Sequence, residues 1–110
     1  MRQFLIDELS RQDAARLDAH LKEHAESSAV NGLYWVEISR DLLDPGQYET
    51  RNDHPFCFAI EVGETWAKFE FLIRSRANMR SPHTRYANPA QQKFIMDFSA
   101  RLIRDLDLKT

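Results

Sequence analysis

The apolar positions of this chain change period several times, and the changes mark its elements. The sharpest pattern is "HPFCFAIEVGETWAKFEFLIR", residues 54–74, where Phe56, Phe58, Ile60 and Val62 alternate with smaller or polar neighbours and the alternation resumes after Gly63. A period of two belongs to a half-buried strand, and Gly63-Glu64 reads as a two-residue type II′ loop joining two such strands. That loop places Val62 opposite Thr65, Ile60 opposite Ala67, Phe58 opposite Phe69 and Phe56 opposite Phe71, all on one face. A slip of one residue would carry four phenylalanines into water, so the pattern specifies which side is core. The other face receives Glu61, Trp66, Ala59, Lys68, Cys57 and Glu70, a wetter surface. Residues 33–39, "LYWVEIS", alternate in the same way, with Tyr34, Val36 and Ile38 on one side. Residues 3–9, "QFLIDEL", are expected to add a short edge strand.

Helical periods flank these strands. Ser10 with Asp13 offers a cap, Leu9 can pack on Ala14, and Ala14, Leu17, Leu21, His24 and Ala25 share one side, which predicts a helix from Arg11 to about Ser27. Asn31-Gly32 is a turn signal. "DPGQ" at 44–47 supplies an Asp cap, a Pro at the first helical position and a Gln three residues on, enough for a short helical turn. "NPAQ" repeats the device at 88–91, opening a helix expected to run from Pro89 to about Asp107. Its apolar arc contains Phe94, Ile95, Phe98, Leu102 and Leu106. Met96 and Ile103 widen it to roughly 200°, where a single contact needs about 100°. The surplus flank must meet the first helix or another molecule.

The expected architecture is therefore an α+β fold in two layers. An antiparallel sheet of three or four strands carries two helices on one face, in the order (β)-α-β-β-β-α, as a single domain over residues 1–110. The order resembles that of double-stranded-RNA-binding domains in topology. Those domains rely on a cluster of lysines opening the last helix, and here that turn, "NPAQQKF", has one, Lys93.

Composition adds limits. The 110 residues are 43% hydrophobic and 29% charged, within the ordinary globular range. The single Cys57 has no internal partner for a disulfide, no apolar run reaches the ~20 residues that span a bilayer, and the first residues do not read as a signal peptide. A cytoplasmic setting is expected, with no membrane partner. The net charge of -2 hides an asymmetry: residues 1–70 hold 7 Lys/Arg against 14 Asp/Glu, and residues 71–110 hold 8 against 3. The stretch "RSRANMRSPHTRY", residues 74–86, has four arginines, a histidine and no acid.

Candidate chemistry is sparse. "HLKEH" places His20, Glu23 and His24 in the H-x-x-E-H spacing by which a helix holds zinc and a base, which makes a zinc-dependent hydrolase the remotest alternative; a third ligand would have to come from elsewhere, and His24 falls on the packed side of the helix. His54, Cys57 and His83 could converge only if the arginine-rich segment folded back over the sheet. No phosphate-binding glycine loop and no nucleophile elbow occurs, so no catalytic set and no cofactor is expected. The chain reads as a binding or protein-interaction domain. Trp35 and Trp66 on the wetter sheet face, with Met96 and Ile103 on the helix flank, form its expected contact surface, and a homodimer is one form this could take. The alternative is an anion, phosphate or nucleic-acid site built from Arg74, Arg76, Arg80, His83, Arg85, Tyr86 and Lys93 beside the amino end of the last helix. Against it, those arginines can pair with the acids of the first seventy residues.

Overall fold

Ser10, Asp44 and Asn88 each accept a hydrogen bond from the backbone N–H three residues on, and each opens a helix. At Asp44 and Asn88 the box is reciprocal: Gln47 and Gln91 return their side-chain oxygens to the cap N–H, and Pro45 and Pro89 fill the first helical position. The computed structural model describes residues 2–110 and contains α1 (Arg11–His24), α2 (Pro45–Glu49) and α3 (Pro89–Asp105).

Seven strand segments accompany them: β1 (Gln3–Ile6), β2 (Glu26–Ser27), β3 (Leu33–Glu37), β4 (Phe56–Val62), β5 (Ala67–Glu70), β6 (Leu72–Ser75) and β7 (Arg85–Tyr86), with every pairing antiparallel. The expected three- or four-stranded sheet under two helices is thus corrected to seven strand segments and three helices, within the α+β class. The segments occupy five positions. β2, β3 and β4 lie in succession, and β5 and β6 together form the next position. β1 and β7 then share the outer one. They meet at Phe71, whose N–H donates to Arg2 O and whose carbonyl accepts from Ala87 N, while the Arg2 guanidinium donates to Tyr86 Oη.

The hairpin register also differs from expectation. Val62 pairs with Ala67 and Ile60 with Phe69, two residues beyond the expected partners, and Gly63 N–H donates to Trp66 O, so the loop is Glu64-Thr65. Gly63 keeps a negative φ, which a II′ turn forbids at that position. It is needed for space instead, since a Cβ there would lie 2.2 Å from the Trp66 ring. A two-residue shift preserves the faces, so Phe56, Phe58, Phe69 and Phe71 are all buried. Between the pairs Ile60–Phe69 and Cys57–Arg74, β4 advances three residues while its partner advances five. The two extra residues, near Phe71, make a bulge that changes which outer segment is met.

On the core face, α1 and α3 run antiparallel over the sheet. Asp13 accepts from Lys109 N and Arg16 donates to Leu106 O at one end, while His20 and Leu21 lie near Phe98 and Leu102 at the other. Phe58 meets Phe94 and Phe98 edge-on at 6.4 and 5.8 Å. The buried Tyr34 hydroxyl donates to Asp18 of α1, and burial together with that carboxylate pushes the phenol well above its ordinary pKa. Met96 and Ile103 are partly buried and packed against this core. The surplus apolar flank of α3 is thus taken up by the core, while α1 meets α3 on the side of Phe98 and Leu102.

Candidate binding groove

The sheet face turned away from the helices is built by alternation. It carries Leu33, Trp35 and Glu37 of β3, Cys57, Ala59 and Glu61 of β4, and Lys68, Glu70, Leu72 and Arg74 of β5 and β6. Trp35 pairs with Ala59, and Arg74 with Cys57. The small residues of the central strand thus leave a trough between larger side chains to either side. Two connections raise its walls, and together they enclose a groove of about 710 Å³.

One wall is the turn at 27–30. Ser28 Oγ donates to Val30 O and accepts from Val30 N, which folds the segment tightly. Gly32, at φ +80°, returns the chain into β3; a Cβ there would sit 2.7 Å from Val62 O, and Val62 N–H donates to Gly32 O. No other residue type fits both demands.

The other wall is the segment 76–84, which is held from below by a buried acid. Asp53 accepts from Ser81 Oγ and from Asn78 Nδ2, Ser75 Oγ donates to Asp53 O, and Asn78 N–H donates to Ser75 Oγ. Hydrogen bonds from Ser81 and Asn78 hold the Asp53 carboxyl below its usual pKa, against the opposing pull of burial. The far end of the segment is tied to α2 and α3. Gln47 Nε2 donates to His83 O, and Gln91 Nε2 donates to Gln47 Oε1 and to Leu42 O.

Two arginines meet at the groove's indole. The guanidinium carbons of Arg76 and Arg74 lie 4.9 and 5.7 Å from the Trp35 ring centroid. Each arginine also has one carboxylate partner, Glu26 for Arg76 at 3.2 Å and Glu70 for Arg74 at 2.9 Å. Arg76 Nη1 and Arg74 Nε are buried without an acceptor. A buried donor left unmatched costs about 1–3 kcal/mol. Among the described residues the groove lining includes both arginines and neither Asp nor Glu. Its apolar part comes from Leu33, Leu72, Val30 and Met79, the last 90% exposed at the rim. Cys57 beneath is inert: burial pushes its thiol up to about 12.

The residues nominated from the arginine-rich stretch are not gathered into one site. Arg74 and Arg76 line the groove, whereas Arg85 pairs with Asp44 at 3.1 Å and Lys93 with Asp97 at 2.7 Å. Tyr86 lies on the sheet edge under the Arg2 guanidinium, 4.5 Å from its centroid. The exposed Arg80 uses its backbone N–H on Asn78 Oδ1, and the His83 ring packs beside Gly46. Trp66 lies over Gly63, four residues along β4 from the partner of Trp35, or about 13 Å. It is outside the groove.

On α1 the His20 and His24 rings are 4.3 Å apart, and no group of three or more His, Cys, Asp or Glu among the described residues is arranged to hold a metal. His54 bonds to Gln47 O, and His54 and His83 both lie near Asp53, but among the described residues they form no metal-holding set with Cys57. Sequence reasoning passed over Leu33, Leu72, Met79 and the 27–30 turn. The available signal was Cys57 and Ala59, small residues that leave room on a strand whose neighbours carry Trp35 and Arg74. No helix among the described residues is long and apolar enough to cross a membrane. Compared with known proteins, the chain matches no family model, no curated protein and no solved structure.

Proposed function

We propose that this protein acts by binding rather than by catalysis, and that the groove around Trp35 is its ligand surface. The observation that carries the reading is the groove itself. Its volume, about 710 Å³, falls in the range of small-ligand sites, about 300–1,000 Å³. Its lining joins aliphatic side chains to a few placed polar groups, the usual make-up of such sites. The titratable groups with displaced pKa values favour the same side: Tyr34 and Cys57 are held in their neutral forms, Asp13 is spent on the Lys109 N–H and Asp53 on holding a loop, so none is poised as an acid, base or nucleophile.

A nucleic-acid site is disfavoured because Arg74, Arg76, Arg85 and Lys93 already face carboxylates and only Arg74 and Arg76 lie together, too few for a polyanion. A second copy of the chain is disfavoured as the main partner, since Trp66, Met96 and Ile103 are engaged within their own fold.

A neutral environment-sensitive dye such as Nile red tests the reading. Its emission should rise and shift to the blue on mixing with the protein, and Trp35→Ala should remove most of that response while the far-ultraviolet dichroism stays the same. A response that survives Trp35→Ala undiminished in folded protein would place binding elsewhere and overturn the reading.

A further inference from the structure

We infer that the groove selects a small amphipathic anion, an aliphatic chain ending in a carboxylate. The inference rests on the proposed role of the groove and names the chemistry of its occupant. The chain as a whole is slightly acidic, at -2, yet this groove is lined by two cations and no acid. Glu26 and Glu70 each take one nitrogen of their arginine. A guanidinium has five donors in a planar fork that suits the two oxygens of a carboxylate. Arg76 Nη1 and Arg74 Nε have no acceptor within the protein, and the two side chains remain 26% and 38% exposed, so the guanidinium groups carry unspent donor capacity that an entering carboxylate can meet.

The remainder of the ligand is set by the other walls. Both guanidinium groups already lie near the Trp35 ring, so little of the indole face is left for aromatic stacking. What remains is aliphatic, from Leu33, Leu72, Val30 and the exposed Met79 at the mouth. A straight or lightly branched chain meets these side chains, and the Ser28 and Thr84 region gives the entrance a polar border. A phosphodiester polymer would find only two cations here and no run of positive charge beyond them.

The test uses octanoate, octanol and octylammonium against the full chain carrying Trp66→Phe, so that Trp35 is the reporter. Octanoate should perturb the Trp35 emission in a saturable way, with an affinity roughly tenfold above that of octanol, the factor expected of one charge-assisted hydrogen bond. Octylammonium should bind more weakly than octanol. In Arg76→Gln the preference for octanoate over octanol, both measured on that variant, should disappear, with Arg74→Gln as the second variant should the first fold poorly. Equal affinities for the three probes, or octanoate binding indifferent to both substitutions, would overturn the anion preference while leaving the groove a binding site. No perturbation by any probe, with Nile red also silent, would remove both.

Discussion

Gln91→Leu isolates the junction on which the groove's outer wall depends. The Gln91 amide is buried, donates to Leu42 O at 2.9 Å and to Gln47 Oε1 at 3.1 Å, and accepts from Asn88 N at 3.0 Å. Leucine of similar volume removes all three bonds. Gln47 Oε1 keeps a second donor, Asp44 N, so the groups left unmatched are the Leu42 carbonyl and the Asn88 N–H. Both residues are half-buried, which puts each loss near the lower end of the about 1–3 kcal/mol range. The added apolar burial returns at most about 1 kcal/mol. The net loss is about 1–2 kcal/mol, a fall of about 5–10 °C in melting temperature for a chain of this size.

Gln91→Glu sharpens the test. It keeps an acceptor for Asn88 N–H but sets a carboxylate against the Leu42 carbonyl and Gln47 Oε1, so its pKa is raised in the fold. A raised pKa means stability present at pH below the unfolded value, about 4.3, and lost as pH climbs through the folded value. The gap between Gln91→Glu and wild type should therefore be narrow near pH 4 and wide at pH 7. Denaturant titrations at the two pH values measure both effects. A Gln91→Leu protein melting within about 2 °C of wild type, an effect no larger than that of an ordinary surface change, would refute the reasoning.

Phe58→Ala empties the centre of the core between Phe94 and Phe98 and should cost about 3–5 kcal/mol, read as the loss of most of the denaturant midpoint. Asp53 has a lowered pKa, so its contribution is present above the unfolded value of about 3.9 and disappears as pH falls through the folded one. Hydrogen exchange at the Asn78 and His83 amides should accelerate there beyond its intrinsic pH dependence, and in Asp53→Ala at all pH values. Gly63→Ala forces the Trp66 ring off the hairpin, for about 1–3 kcal/mol, and in a Trp35→Phe background the emission should move to the red; an unmoved spectrum would mean that the ring was never seated there.

What the sequence disclosed was local. Ser10, Asp44-Pro45 and Asn88-Pro89 announce three helix starts because a cap acts within four residues, joined at the last two by a proline and a reciprocal glutamine. The phenylalanine alternation identified the core face even though the loop was placed one residue early, because the resulting register shift of two residues leaves sidedness intact. What stayed hidden depends on distant partners. β7 exists because Leu72 and Ile73 lie beside Tyr86 and Arg85, and two residues carry too little pattern to announce a strand. Gln47 and Gln91 read as helix-capping residues and Asp53 as an ordinary polar position, and only the fold makes them buried donors and acceptors for distant segments. Leu72 and Trp35 belong to one groove through the narrow β4 side chains between them, a relation across strands that no window along the chain contains.

The outer rim made of β1 and β7 has a temporal meaning as well. During synthesis Phe4, Leu5 and Ile6 leave the ribosome about sixty residues before Ala67, Lys68 and Phe69 are available to them, and the rest of that rim arrives later still. For that interval a short sticky ribbon has nothing to zip onto. It can close only once Phe71 offers one carbonyl and one amide to two pieces of chain born far apart.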